Sequence, residues 1–122
     1  MAMALEMVRG GLSPGSARAI NGQVASAVAA AGTTQATATL LGAGHNVVTT
    51  VADASGVILP NVEIGDEIFV YNGTATNTLS VYPPTSGTIN QLAANLPGYL
   101  PAYRGAMFKK VTSIIWTAFM SA

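Results

Sequence analysis

His45 and Asp53 are the residues of this chain whose types could relay a proton to a nucleophilic serine, the arrangement used in acyl transfer. No serine lies in a G-x-S-x-G elbow, and a whole strand is expected to separate His45 from Asp53. His45, the single histidine, is therefore read as a turn residue between strands. Glu63, Asp66 and Glu67 form the one acidic cluster, and their oxygens could meet a hard cation, but calcium loops need more ligands at alternating positions. That cluster is expected to solvate a turn at a sheet end. Asn72-Gly73-Thr74 matches a glycosylation sequon and is read as a tight turn. Gly10, Gly11 and Gly15 make no phosphate loop, since no Lys-Ser/Thr follows them and no strand precedes. Tyr71, Tyr82, Tyr99, Tyr103 and Trp116 could stack on sugars or bases, yet without adjacent Arg or Lys they read as core or interface anchors. Arg104, Lys109 and Lys110 are expected to face solvent or to pair with acids. No residue is assigned a catalytic, cofactor-binding or metal-ligating role, and the chain is read as non-enzymatic.

The composition points the same way. Half of the 122 residues are apolar and only 8% are charged, against about a quarter in ordinary soluble domains. No Asp, Glu, Lys or Arg occurs from Ala19 to Ala52 or from Ile68 to Tyr103, so whole faces of the fold must be neutral, as subunit contacts often are. Formal charge is zero, which leaves no basic stripe for nucleic acid and no pull toward anionic lipid. Apolar clusters are broken by Gly, Thr or Asn well short of the roughly 20 residues of a spanning helix. Glu6 and Arg9 stand where the apolar core of a secretory signal would lie, so none is expected. With no cysteine, the domain must be held by its core, which a chain of this length can supply.

The elements that must carry these residues are short strands closed by Gly, Pro, Asn or Asp. Strands are expected over Thr33–Leu41, Asn46–Ala52, Val57–Leu59, Glu67–Tyr71, Thr78–Tyr82, Gly87–Asn90, Ala106–Val111 and Ser113–Met120. Glu67–Tyr71 and Thr78–Tyr82 are expected to pair as a hairpin across Asn72-Gly73, and Gln91–Asn95 could hold one helical turn. Met1–Val8 could form a short helix. Ser16–Ala31 is small and of low complexity, either helical over Val24–Ala31 or extended. The expected organisation is an N-terminal arm, residues 1–31, and a β-domain, residues 32–122. The fold class is all-β, a compact antiparallel β-sandwich or barrel with an extended or partly helical arm.

Four motifs follow in order: Gly56-Val57-Ile58-Leu59-Pro60, then Gly65 through Val70 to Asn72, then Leu79-Ser80-Val81-Tyr82-Pro83, then Gly87-Thr88-Ile89-Asn90. From Gly32 onward the chain resembles the small β-rich structural proteins of tailed bacteriophage virions, head decoration or cement proteins among them. It departs from their pattern after Trp116, where Thr117-Ala118-Phe119-Met120 replaces a polar chain end. The resemblance implies a virion structural protein on the capsid exterior, assembled in the host cytoplasm, which stabilises joints between major capsid subunits. Its implied partners are the major capsid protein and further copies of itself, with a homotrimer favoured, and neither nucleic acid nor membrane. A tail, neck or fibre component is the alternative within virions. A carbohydrate-binding module using Tyr99, Tyr103 or Trp116 is the alternative outside them.

Overall fold

Alternating runs such as Glu67-Ile68-Phe69-Val70-Tyr71-Asn72 can bury every second side chain only against a second layer, and the chain supplies one. The computed structural model describes residues 23–121, and among them every regular element is a strand. The ten strands are β1 (Val24–Ala29), β2 (Thr39–Leu40), β3 (His45–Thr50), β4 (Gly56–Ile58), β5 (Glu67–Asn72), β6 (Leu79–Tyr82), β7 (Thr88–Ile89), β8 (Gly98–Leu100), β9 (Gly105–Lys110) and β10 (Ile115–Met120). They form a six-stranded sheet A, ordered β1-β3-β5-β9-β10-β7, and a four-stranded sheet B, ordered β2-β4-β6-β8.

The first six strands alternate between the sheets, and each lies parallel on the strand two before it. This is a solenoid-like winding: Val24, His45 and Phe69 stack in register in sheet A, and Thr39, Val57 and Val81 in sheet B. The last strands reverse direction. β8 pairs antiparallel with β6, β9 with β5, and β10 with β9, while β7 runs parallel to β10.

The fold class is thus all-β, but the sheets are mixed rather than antiparallel. Physically, a corner turn after each strand carries the chain to the other sheet, and a strand that returns after a full coil must run parallel to its predecessor. The expected hairpin between Glu67–Tyr71 and Thr78–Tyr82 does not form for this reason, since β5 belongs to sheet A and β6 to sheet B. Asn72 makes the corner: its Oδ1 accepts from the Thr74 amide at 3.1 Å and hydroxyl at 2.7 Å, and its Nδ2 donates to the Asn77 and Leu100 carbonyls at 2.8 and 2.9 Å.

Two other expectations are corrected. Within Thr33–Leu41 only Thr39–Leu40 is strand; upstream, the Thr34 and Thr37 hydroxyls bond each other at 2.8 Å, and Thr37 Oγ1 accepts from the Thr34 amide. Such local side-chain bonds compete with a ladder, and Gly32, at φ +66°, has already turned the chain. The helical turn over Gln91–Asn95 is an irregular connection with Asn95 at φ +68°, and beyond it Gly98–Leu100 is a strand that the Pro/Gly spacing concealed. Residues 24–29, left open between helix and extended, are extended, so that the first coil straddles Gly32. The helix expected over Met1–Val8, and the arm as far as residue 22, lie outside the described residues.

One apolar cluster is drawn from the inward faces of both sheets, including Val48, Ile68, Val70, Phe108 and Trp116 from sheet A and Val57, Leu79, Val81 and Leu100 from sheet B. Burying such side chains is worth roughly 1.5–3 kcal/mol each, and this is what holds a cysteine-free domain. The outer faces differ. The 33–38 loop roofs β6 on the outer side of sheet B, where Tyr82 Oη donates to the Thr33 carbonyl at 3.1 Å and Gln35 Nε2 to the Pro83 carbonyl at 2.7 Å, while Leu40 and Tyr99 of that face stay exposed. That roof explains why all four residues of β6 are buried.

Candidate interaction surface

The parallel winding has an unavoidable consequence at its first coil. β1 pairs with β3 along one edge, and among the described residues no strand pairs with the other. Three of the four sheet edges are short: β2 and β7 have two residues each and β8 three, the last flanked by Pro97 and Pro101. β1 is the long one, six residues of sequence VASAVA. Edge strands are normally guarded by charge, proline or distortion. Here the guard is a pair of register shifts, between Ala25 and Val28 and between Val28 and Ala29; no charge and no proline stands on the strand.

The outer face of sheet A is the second exposed feature. The register places Val24, His45, Phe69, Met107 and Phe119 side by side on one outward row across five strands. Phe119 is 78% and Val24 65% exposed. His45 and Phe69 lie ring against ring, 4.5 Å between centroids. On one side of this row run Glu67, Lys109 and Thr117, and on the other Val47, Tyr71 and Gly105. Gly105 is required there: a side chain would meet the Phe69 ring 2.8 Å and the Tyr71 ring 3.3 Å from its Cβ. The two rings lie over the glycine.

The residues considered for chemistry are dispersed. His45 opens β3 and Asp53 follows its far end, so no relay is assembled. Asp66 is buried, with Oδ2 accepting from the Glu63 amide at 3.1 Å; the acidic cluster is thus a turn that fastens its own backbone. No group of three His, Cys, Asp or Glu side chains among the described residues could hold a metal ion. Asn72 is fully buried, and the sequon reports the corner turn.

The aromatic set divides. Trp116 is 1% exposed and belongs to the core, which removes it from any sugar platform, while Tyr99 and Tyr103 are exposed. Lys110, expected to face solvent or an acid, is buried and donates to the Asn61 side chain at 3.0 Å and the Val62 carbonyl at 2.7 Å. Carbonyl dipoles solvate its ammonium in place of water. The alternation of β9 could have revealed this: Phe108 and Lys110 share a side. A cleft of about 450 Å³, lined by Leu40, Ile58, Asn61, Thr85 and Ile114 over Trp116, is open and evenly polar and apolar.

No helix among the described residues is long and apolar enough to cross a membrane. Comparison with protein-family models, with curated proteins and with solved structures finds no match to this chain.

Proposed function

We propose that this protein is a non-enzymatic structural component of a virion, most specifically a capsid decoration or cement protein. In this reading it is assembled in the host cytoplasm and sits on the capsid exterior, over joints between major capsid subunits. The observation that carries it is the long, uncharged edge of β1, with which no strand pairs among the described residues. A strand of the major capsid protein added to that edge gains backbone hydrogen bonds, each worth about 0.5–1.5 kcal/mol net, with no ion pair needed. Repetition over a symmetric shell multiplies a modest contact through effective concentration. The motifs from Gly56 to Asn90 support the virion assignment by resemblance. The expected β-sandwich or barrel is supported in its two-layered form by the single core cluster shared between the two sheets. Neither nucleic acid nor membrane enters, in keeping with a formal charge of zero.

The test is co-sedimentation with purified capsid shells, comparing the parent with Ser26→Lys/Ala27→Lys. Both residues are exposed on β1, and lysines on an edge block strand addition without unfolding the sheet. The parent should pellet with shells and the variant should remain in the supernatant with an unchanged melting temperature. Equal binding by both overturns the edge as the anchor. Binding of the parent to isolated tails rather than shells moves the protein to the tail.

A further inference from the structure

The β1 edge leaves the outer face of sheet A unused. We infer that this face pairs with the same face of a second copy, about a two-fold axis running between β5 and β9 roughly along the strands. The inference does not rest on the virion reading.

Self-complementarity identifies the occupant. Rotation about such an axis sets each residue of β5 opposite its own register partner on β9 of the second copy, because β5 and β9 pair antiparallel with Glu67 against Lys109 and Phe69 against Met107. Glu67 of one copy then faces Lys109 of the other, and the reverse contact is made at the same time. Phe69 faces Met107, a sulfur–aromatic contact. One column further out, His45 faces Phe119. Every charge on the outward rows is matched by this one operation, as an isologous interface requires. A lipid surface would have to dehydrate the neighbouring Glu67 and Lys109 of each copy with no further charge to set against them.

Size and rigidity agree. The four strands that this axis sets opposite one another, β3, β5, β9 and β10, about 4.8 Å apart, and three outward rows about 7 Å apart give roughly 400 Å² per copy once side-chain width is included. The pair would bury on the order of 800 Å², the size of a weak, transient contact. Phe69 and Tyr71 are held in place over Gly105, so little side-chain freedom is lost on association. Aligned sheets pack at about 30°, which a modest inclination of the axis to the strands accommodates while keeping the central pairs. On sheet B the 33–38 loop covers β6, and among the described residues no such loop is bonded over sheet A.

The experiment is sedimentation velocity on the full chain, up to about 100 μM, where a micromolar contact is nearly saturated. The parent should show a reversible monomer–dimer equilibrium. Glu67→Lys alone and Lys109→Glu alone should each weaken it about tenfold, since each replaces two attractive contacts per dimer with two repulsive ones. An equimolar mixture of the two variants should recover the parent affinity, because opposite charges then face each other at both positions. Thermal melts check that each variant is folded, and Phe119→Asp, at a residue fully committed to neither core nor turn, should abolish the dimer without lowering the melting temperature. A strict monomer at the highest concentration overturns the inference, as does a trimer insensitive to either charge change or a weakening that mixing does not rescue. Flotation of a monomer with neutral phosphatidylcholine vesicles would assign the face to lipid and overturn it as well. A trimer of that kind would leave the virion reading standing.

Discussion

Asn72→Asp is nearly isosteric and removes two donors from the corner that joins the sheets. In the parent, Nδ2 reaches the carbonyls of Leu100 in sheet B and of Asn77 in the corner loop, at a fully buried position. Aspartate keeps the oxygen that accepts from Thr74, so the local turn survives. Two hydrogen bonds are lost, each worth about 1 kcal/mol, and a second carboxyl oxygen now confronts two carbonyl oxygens away from water. The total is about 3–5 kcal/mol, the range for an uncompensated buried charge. For 122 residues the unfolding entropy is about 0.25 kcal/mol/K, so the melting temperature should fall by roughly 12–20 °C at neutral pH.

The pH dependence carries the sign. Burial beside carbonyls raises the folded-state pKa of the new carboxyl above the unfolded value of about 3.9. Between these two values the folded state holds the extra proton, so stability falls as pH rises. The deficit relative to the parent should be smallest near pH 4 and grow toward neutrality. Scanning calorimetry of both proteins across that window measures it. A deficit under about 3 °C at neutral pH, or one independent of pH, would refute the claim that this side chain ties the corner to sheet B.

Adjacent lysines should diverge. Lys110→Glu places an anion among the Asn61 and Val62 oxygens and should cost about 3–5 kcal/mol, whereas Lys109→Gln, on the exposed side, should stay within about 0.5 kcal/mol in chemical denaturation. Gly56→Ala puts a Cβ 2.8 Å from the Ser80 carbonyl oxygen and should cost about 1–3 kcal/mol. Gly42→Ala meets nothing within 4 Å and should be neutral or slightly stabilising in the same assay.

Most strands were legible from residue types, though β1 and β8 were not and β2 is far shorter than expected; strand partnership was not legible. Glu67–Tyr71 reads as a strand because β-branched and aromatic residues alternate there, and it is one. Its neighbours, β3 and β9, are far away in sequence, and the Asn72-Gly73 pair that suggests a hairpin turns a corner instead. The decisive bond reaches from Asn72 to Leu100, a long-range contact that no local propensity encodes. β1 was ambiguous because VASAVA is as compatible with a helix as with a strand until β3 lies beside it. Trp116 was readable as a core anchor. The outward row from Val24 to Phe119 was hidden because its members come from five separate strands and align only through register.

The central claim, that the open β1 edge seats this protein on a capsid, is tested most directly by a reconstruction of the assembled virion at side-chain resolution. The account predicts symmetry-related copies on the shell exterior, with a capsid strand continuing sheet A beyond β1. Copies whose β1 edge faces solvent, or particles that lack the protein altogether, would contradict it.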